Sequence, residues 1–321
     1  MFRAILLVVL TITLVTEADA QARVRRIGVI PNSASAAKSA PFLAVFQQRL
    51  QELGYTDGRK ITIDVRYPKE QPDGYREVAA QLVALKVDVI VTANTGATRA
   101  AKQQTSTIPI VMVSVGDAVS AGFVTSLSRP GGNVTGQSFL GAELNLKGFD
   151  LLTTALPRVK RIGVLYDPEL IQGDPPEFRN IREAAAAKGV TIVPVRVRRS
   201  DDLKSALANV APPPEALHAL AVSIVEQPRI AQYAVEHQMP AICSFRDAVD
   251  SGALMFYGPN FLELWRGAAV YVDKILKGAN PADLPVQQPT AFELVINMKT
   301  AKTLGVTLPT SVLTRADQLL P

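Results

Sequence analysis

The sequence predicts an α/β fold of two lobes, each a parallel sheet covered by helices on both faces, joined by a hinge that the chain crosses several times. Three observations carry this. Short, continuous apolar strands alternate with amphipathic helices, the pattern of strands buried on both faces. The alternation breaks at Arg129-Pro-Gly-Gly-Asn133 and then restarts. The strands that open the two runs, Arg26-Ile-Gly-Val-Ile30 and Arg161-Ile-Gly-Val-Leu165, nearly repeat each other. A length of 321 residues suits two such domains at roughly 100–200 residues each.

The first strand, Arg26–Ile30, leads into a helix from about Ser39 to Leu53. Phe42, Val45, Phe46, Leu50 and Leu53 lie three and four apart there and share a face, and Gly54 ends it. Lys60–Tyr67 is the second strand, Tyr75–Leu85 a helix, Val87–Thr92 the third strand, Thr98–Gln104 a short helix and Pro109–Val113 the fourth strand. Beyond the break come helix Glu143–Leu156, strand Arg161–Tyr166, helix Glu177–Lys188 and strand Val190–Val197. Asp201 or Asp202 caps a helix reaching Val210, and strand Leu217–Ser223, helix Arg229–His237 and strand Pro240–Ser244 follow. Strand Ala253–Tyr257, helix Phe261–Lys277 and strand Phe292–Asn297 close the series. If these last elements return to complete the first lobe, lobe 1 is 24–135 plus 258–321 and lobe 2 is 136–257. The crossings would then lie near Val134–Ser138, Tyr257–Asn260 and Leu284–Ala291.

Residues 1–20 read as a cleaved signal peptide: Arg3, an apolar stretch from Ala4 to Val15, and Ala18-Asp-Ala20 before Gln21. A stretch of that length spans about 18 Å as a helix, short of the roughly 30 Å hydrocarbon core. The expected location is therefore the periplasm. Cys243 is the only cysteine, which excludes an internal disulfide and leaves no lipid-attachment cysteine after the leader. It reads as a buried thiol rather than a nucleophile. The formal charge is +5, but in Val195-Arg-Val-Arg198 the basic residues alternate with valines as on an edge strand, so no nucleic-acid partner is expected.

There is no G-x-G-x-x-G after the first strand and no G-x-x-x-x-G-K-[ST], and Gly136-Gln-Ser-Phe-Leu-Gly141 misses the nucleophile elbow by one residue. With two histidines in the chain, neither a triad nor a metal site assembles; no cofactor and no catalysis are expected. What remains is a set of small polar loops at the carboxyl ends of strands, where open α/β sheets bind ligands. In lobe 1 these are Asn32 and Ser33, then Asn94, Thr95 and Gly96, then Ser114, Gly116 and Asp117. The backbone N–H groups and hydroxyl at Thr95 suit a carboxylate, and Asp117 suits an ammonium group. In lobe 2 they are Tyr166 and Asp167, Ser223 and Ile224, and Phe245 and Asp247. Each loop taken singly also reads as helix capping; together they outline a cleft lined from both sides. Trp265 reads as core.

Gly54-Tyr-Thr-Asp-Gly-Arg59, Thr107-Ile-Pro-Ile-Val111, Ser128-Arg-Pro-Gly-Gly-Asn-Val-Thr-Gly136, Tyr257-Gly-Pro-Asn260, Tyr271-Val-Asp-Lys-Ile-Leu-Lys-Gly278, Asp283-Leu-Pro-Val286 and Phe292-Glu-Leu-Val-Ile-Asn297 carry a further signal. Over Arg25 to Leu319 the chain resembles the ABC transporter substrate-binding family that includes tryptophan-binding members. The family often shows Asp-Pro-Val where this chain has Asp117-Ala-Val119. The resemblance implies Rossmann-like lobes of the type I periplasmic-binding-protein fold. It also implies capture of a small molecule for delivery to an inner-membrane permease with its ATPase. The polar loops above favour an amino acid or similar zwitterion, and a monomer is expected. A sensing subunit for a membrane receptor and an exported α/β enzyme are the alternatives.

Overall fold

The computed structural model describes residues 23–69, 73–139, 141–168, 176–197, 202–221 and 226–321. The expected leader, residues 1–20, lies outside the described residues, as do Ser223 and Ile224. The first sheet is built from β1 (Arg25–Ile30), β2 (Ile61–Val65), β3 (Val89–Thr92), β4 (Ile110–Val115) and β5 (Val134–Ser138), in the order β2-β1-β3-β4-β5 and parallel throughout. Helices α1 (Ala36–Glu52), α2 (Gly74–Ala84) and α3 (Thr95–Gln104) connect them.

Alternate residues of these strands feed different cores, as the two-residue period of a strand requires. Ile27, Val29, Val89, Val91, Val111 and Val113 pack on one face with Phe46 and Leu50 of α1. Ile30, Ile90, Ile110 and Met112 pack on the other with Val78 and Leu82 of α2 and Ala97 and Ala101 of α3. Gly28 shares that second face; a Cβ there would come within 2.9 Å of the Leu82 side chain, so its absence lets α2 settle on the sheet.

The second lobe opens with α4 (Gly141–Ala155), β6 (Arg161–Tyr166), α5 (Pro176–Ala187), β7 (Thr191–Arg196), α6 (Leu203–Ala208) and β8 (Ala216–Ala221). It continues through α7 (Gln227–Glu236), β9 (Ala241–Cys243), α8 (Asp247–Asp250) and β10 (Met255–Pro259). Then α9 (Phe261–Leu276) crosses to the first lobe and covers the α1 face, with Leu264, Trp265, Ala268 and Val272 buried beside Phe46. Trp265 is core, stacked on Phe42 at 6.3 Å and edge-on to Phe46 at 6.0 Å. After a 3-10 turn at Pro281–Asp283 come β11 (Phe292–Asn297), α10 (Met298–Thr303), α11 (Thr310–Leu313) and β12 (Gln318–Leu320).

These last strands correct the expected lobe boundary. They belong to the second sheet, ordered β12-β11-β10-β9-β8-β6-β7, and not to the first. Residues 292–321 therefore leave lobe 1, whose return segment is α9 and the stretch up to Gln287. The reason is directional. Strand β10 leaves lobe 2 at its carboxyl end, and the chain comes back at that same end, so β11 must run against β10. It pairs antiparallel with it, from Met255 opposite Ile296 to Pro259 opposite Phe292. Among the described residues no helix is long and apolar enough to cross a membrane.

His218 of β8 is fully buried; Ile242 and Gly148 of α4 lie beside it, and its Nδ1 has no hydrogen-bond partner among the described residues. Burial pulls its pKa down to about 4 from 6.5. The unfolded imidazole gains its proton near pH 6.5 and the folded one only near pH 4, so the unfolded chain binds more protons between those values. Stability from this residue is present at neutral pH and lost as pH falls through that window, by about 3 kcal/mol in all. Urea melts at pH 7 and pH 4.5 should show His218→Phe losing roughly 2 kcal/mol less than the wild type between the two conditions.

Candidate functional site

Every segment that passes between the lobes joins the carboxyl edge of one sheet to the carboxyl edge of the other. Strand β5 ends at Ser138 and α4 starts at Gly141; β10 ends at Pro259 and α9 starts at Phe261; Gln287 sits beside Gln137 before β11 starts at Phe292. The crossings are tied to each other. Ser138 N–H donates to Gln287 O and Gln287 N–H to Gly136 O, both at 3.0 Å, and the Gln137 amide donates to Leu264 O of α9. Gly136 permits this: its φ is +125°, and a Cβ would lie 2.2 Å from Met112 O. The described loops expected to bind ligand thus stand on the two sheet edges that the crossings join.

On lobe 1, adjacent strands bring the three predicted loops together. Asn32 is half-buried and Ser33 buried, its Oγ accepting from Ser35 N–H at 3.0 Å. Asn94 caps α3, which therefore begins at Thr95 rather than the expected Thr98. Its Oδ1 accepts from Ala97 N–H and its Nδ2 donates to Tyr75 Oη, both at 2.8 Å. Thr95 and Gly96 occupy the first helical turn, where N–H groups lack intrahelical partners. Ser114 and Gly116 are half-buried, and a Cβ at Gly116 would meet nothing within 4 Å. Asp117 spends both oxygens on its own turn: Oδ1 accepts from the N–H groups of Val119 and Ser120 at 3.0 Å, and Oδ2 from Ser120 Oγ at 2.6 Å. That turn docks on the hinge, because Ala118 N–H donates to Ser138 Oγ at 3.1 Å.

On lobe 2, Tyr166 ends β6 half-buried, edge-on to Phe178, and its Oη accepts from Arg196 Nε at 2.9 Å. Asp167 beside it is buried, 9% exposed. Gln227 of α7 locks the next loop: its Oε1 accepts from Ser244 N–H at 3.0 Å and its Nε2 donates to Ser244 Oγ at 2.9 Å. Phe245 is not an open wall for a ligand. Its ring is buried between Phe42 of α1 at 6.3 Å and Phe261 of α9 at 5.9 Å, so lobe 2 plugs an aromatic side chain into lobe 1 next to the hinge. Asp247 is exposed at the start of α8; partial burial, then the nearby Asp250 carboxylate, raise its pKa.

Three residues outside the expected set matter here. Arg246 reaches Glu293 at 3.7 Å and donates to Gln318 at 2.6 Å, and Asn260 donates to the other oxygen of Glu293 at 2.9 Å while capping α9. Tyr75 stands in the first turn of α2; its only sequence signal is an aromatic residue opening a helix on the carboxyl edge. The potential reacting groups are withdrawn from the cleft. Cys243 is buried, with its thiol pushed up to about 12 by burial, and His218 lies in the lobe 2 core. Phe245→Ala should cost about 3 kcal/mol in a urea melt, the usual loss for a buried phenylalanine; a loss under about 1 kcal/mol would mean the ring is not held between the lobes.

Residues 23–320 match the family described as ABC transporter substrate binding protein. The chain is 29% identical over 264 residues to the tyrosine-binding protein of Clostridioides difficile strain R20291, covering 81% of this chain and 75% of that one. Among solved structures, a conserved domain protein from Vibrio cholerae superposes with a TM-score of 0.83 at 28% identity, over 92% of this chain and all of that one. The Streptococcus pneumoniae ABC domain in complex with L-Trp gives 0.80 at 27% identity over the same shares. The ligand-free, open structure of the substrate-binding protein CD0873 from Clostridium difficile gives 0.65 at 25% identity, over 92% and 99%. Two α/β lobes, crossings confined to facing carboxyl edges and a match along nearly the whole described chain lead to one conclusion: this protein belongs to the ABC transporter substrate-binding protein family.

Proposed function

We propose that the protein captures an α-amino acid, with aromatic ones first in line, between its two lobes outside the cytoplasm and hands it to an ABC permease. The observation that carries the reading is the chemistry of the two facing edges. Lobe 1 offers the first turn of α3 at Asn94-Thr95-Gly96, positive in character and suited to a carboxylate. For the ammonium group the expected set offers Asp247 and Asp167 on lobe 2, since Asp117 on lobe 1 spends both oxygens on its own turn. Relatives named for tyrosine and solved with tryptophan support the aromatic choice. The lobe arrangement agrees with capture: at nearly equal identity, the chain superposes better on the tryptophan complex than on the ligand-free, open relative.

The chain acts by binding rather than by turnover in this reading, and the leader expected at residues 1–20 directs export. A ligand held at micromolar strength supplies about 8 kcal/mol, enough to set the lobe equilibrium if its contacts span both edges.

Thermal melts of the chain without its first twenty residues, against each L-amino acid at 1 mM, test the reading. L-tyrosine, L-tryptophan or L-phenylalanine should raise the midpoint by several degrees, as about 4 kcal/mol of binding at a thousandfold excess over Kd requires. No shift with any amino acid would end the proposal. Thr95→Ala should weaken the ligand found, through the lost hydroxyl; equal affinity in isothermal titration would remove Thr95 from the site.

A further inference from the structure

We infer that Tyr75, on α2, is a recognition residue of the cleft whose hydroxyl proton is committed to the ligand's acidic end. The inference rests on the amino-acid reading above and adds a specific donor to it. The argument starts from the Asn94 side chain. Ala97 N–H donates to its Oδ1 at 2.8 Å, which fixes which end of the amide is oxygen. The other end, Nδ2, is therefore what faces Tyr75 Oη at 2.8 Å. An amide nitrogen only donates, so the phenol oxygen must accept, and its own proton is left over. No acceptor for that proton is found among the described residues.

The ring is held where that proton is useful. Helix α2 begins at the carboxyl edge of the first sheet, and Tyr75 is in its first turn, half-buried rather than sealed. The ring lies along the start of α3: a Cβ on Gly96 would meet Tyr75 Cε2 at 3.3 Å and Cδ2 at 3.4 Å. Glycine at 96 is thus what lets the ring lie so near the Thr95 and Gly96 N–H groups. Burial also raises the phenol's pKa, so it stays a donor across the physiological range. Donation to a carboxylate is the stronger, charge-assisted kind; donation to a neutral carbonyl is about half as strong.

The test is a cycle of two ligands and two proteins, read by isothermal titration with L-tyrosine and its carboxamide, L-tyrosinamide. Tyr75→Phe should weaken L-tyrosine by roughly tenfold or more, and the carboxamide by roughly threefold or less. Equal factors for the two, or no change for L-tyrosine, would overturn the inference and leave the amino-acid reading standing. If the wild type binds no amino acid, both fall together. A general loosening from the unpaired Asn94 amide would weaken both ligands alike and so counts against the inference. Gly96→Ala keeps the hydroxyl but crowds the ring, and should reproduce part of the selective loss; a selective loss in Tyr75→Phe alone, with Gly96→Ala fully wild type, would overturn the claim that the ring's placement matters.

Discussion

Parallel strands all end on the same edge of their sheet, and in this chain the two such edges are joined by each of the three segments that pass between lobes. The rest of the structure follows from that constraint. It makes the two sets of strand-end loops face one another, where the open ends of α/β sheets already collect polar groups. It also fixes the direction of β11, which enters lobe 2 where β10 leaves and can only pair antiparallel. The antiparallel pair then gives β12 an edge to extend, and the second sheet reaches seven strands while the first stops at five.

The hinge itself is a compromise between apolar and polar ties. Phe245 sits in an aromatic cluster made by Phe42 and Phe261, with Trp265 stacked behind Phe42. Its burial is short-ranged, so it acts only while the lobes are close. The polar ties work differently. Asn260 uses one amide atom to cap α9 and the other to hold Glu293, which couples the start of a lobe 1 helix to a lobe 2 strand through one residue. Both Arg246 and Glu293 keep about a third of their side chains in water, which leaves their ion pair worth well under about 1 kcal/mol.

Much of the fold was legible in the sequence because strand and helix periods are local. The alternation that assigns Ile27 and Val29 to one face and Ile30 to the other needs only neighbouring residues. The lobe membership of Phe292–Asn297 was not legible, since its partner strand is set by the edge left free at the hinge, a property of the whole topology. The site divides the same way. Asn94 capping α3 and Asp117 holding its own turn are short-range features, set by N–H groups two or three residues on. The ring of Phe245 lies with Phe42, some two hundred residues away in sequence, and Tyr75 meets Asn94 across two helices; no local spacing encodes either contact.

The balance at the hinge bears on how a binder of this kind responds to its ligand. If the lobes were bolted together by strong contacts, a ligand could not enter; if nothing joined them, all the ordering on closure would be charged against affinity. Here one apolar contact between the lobes, the Phe245 cluster, lies beside the crossing that leads into α9. The polar groups at Asn94 and Tyr166 are instead tied within their own lobes, to Tyr75 and Ala97 on one side and to Arg196 on the other. Closure is decided by what the ligand offers to both edges, and a molecule that satisfies only one edge has no differential affinity with which to shift the lobes.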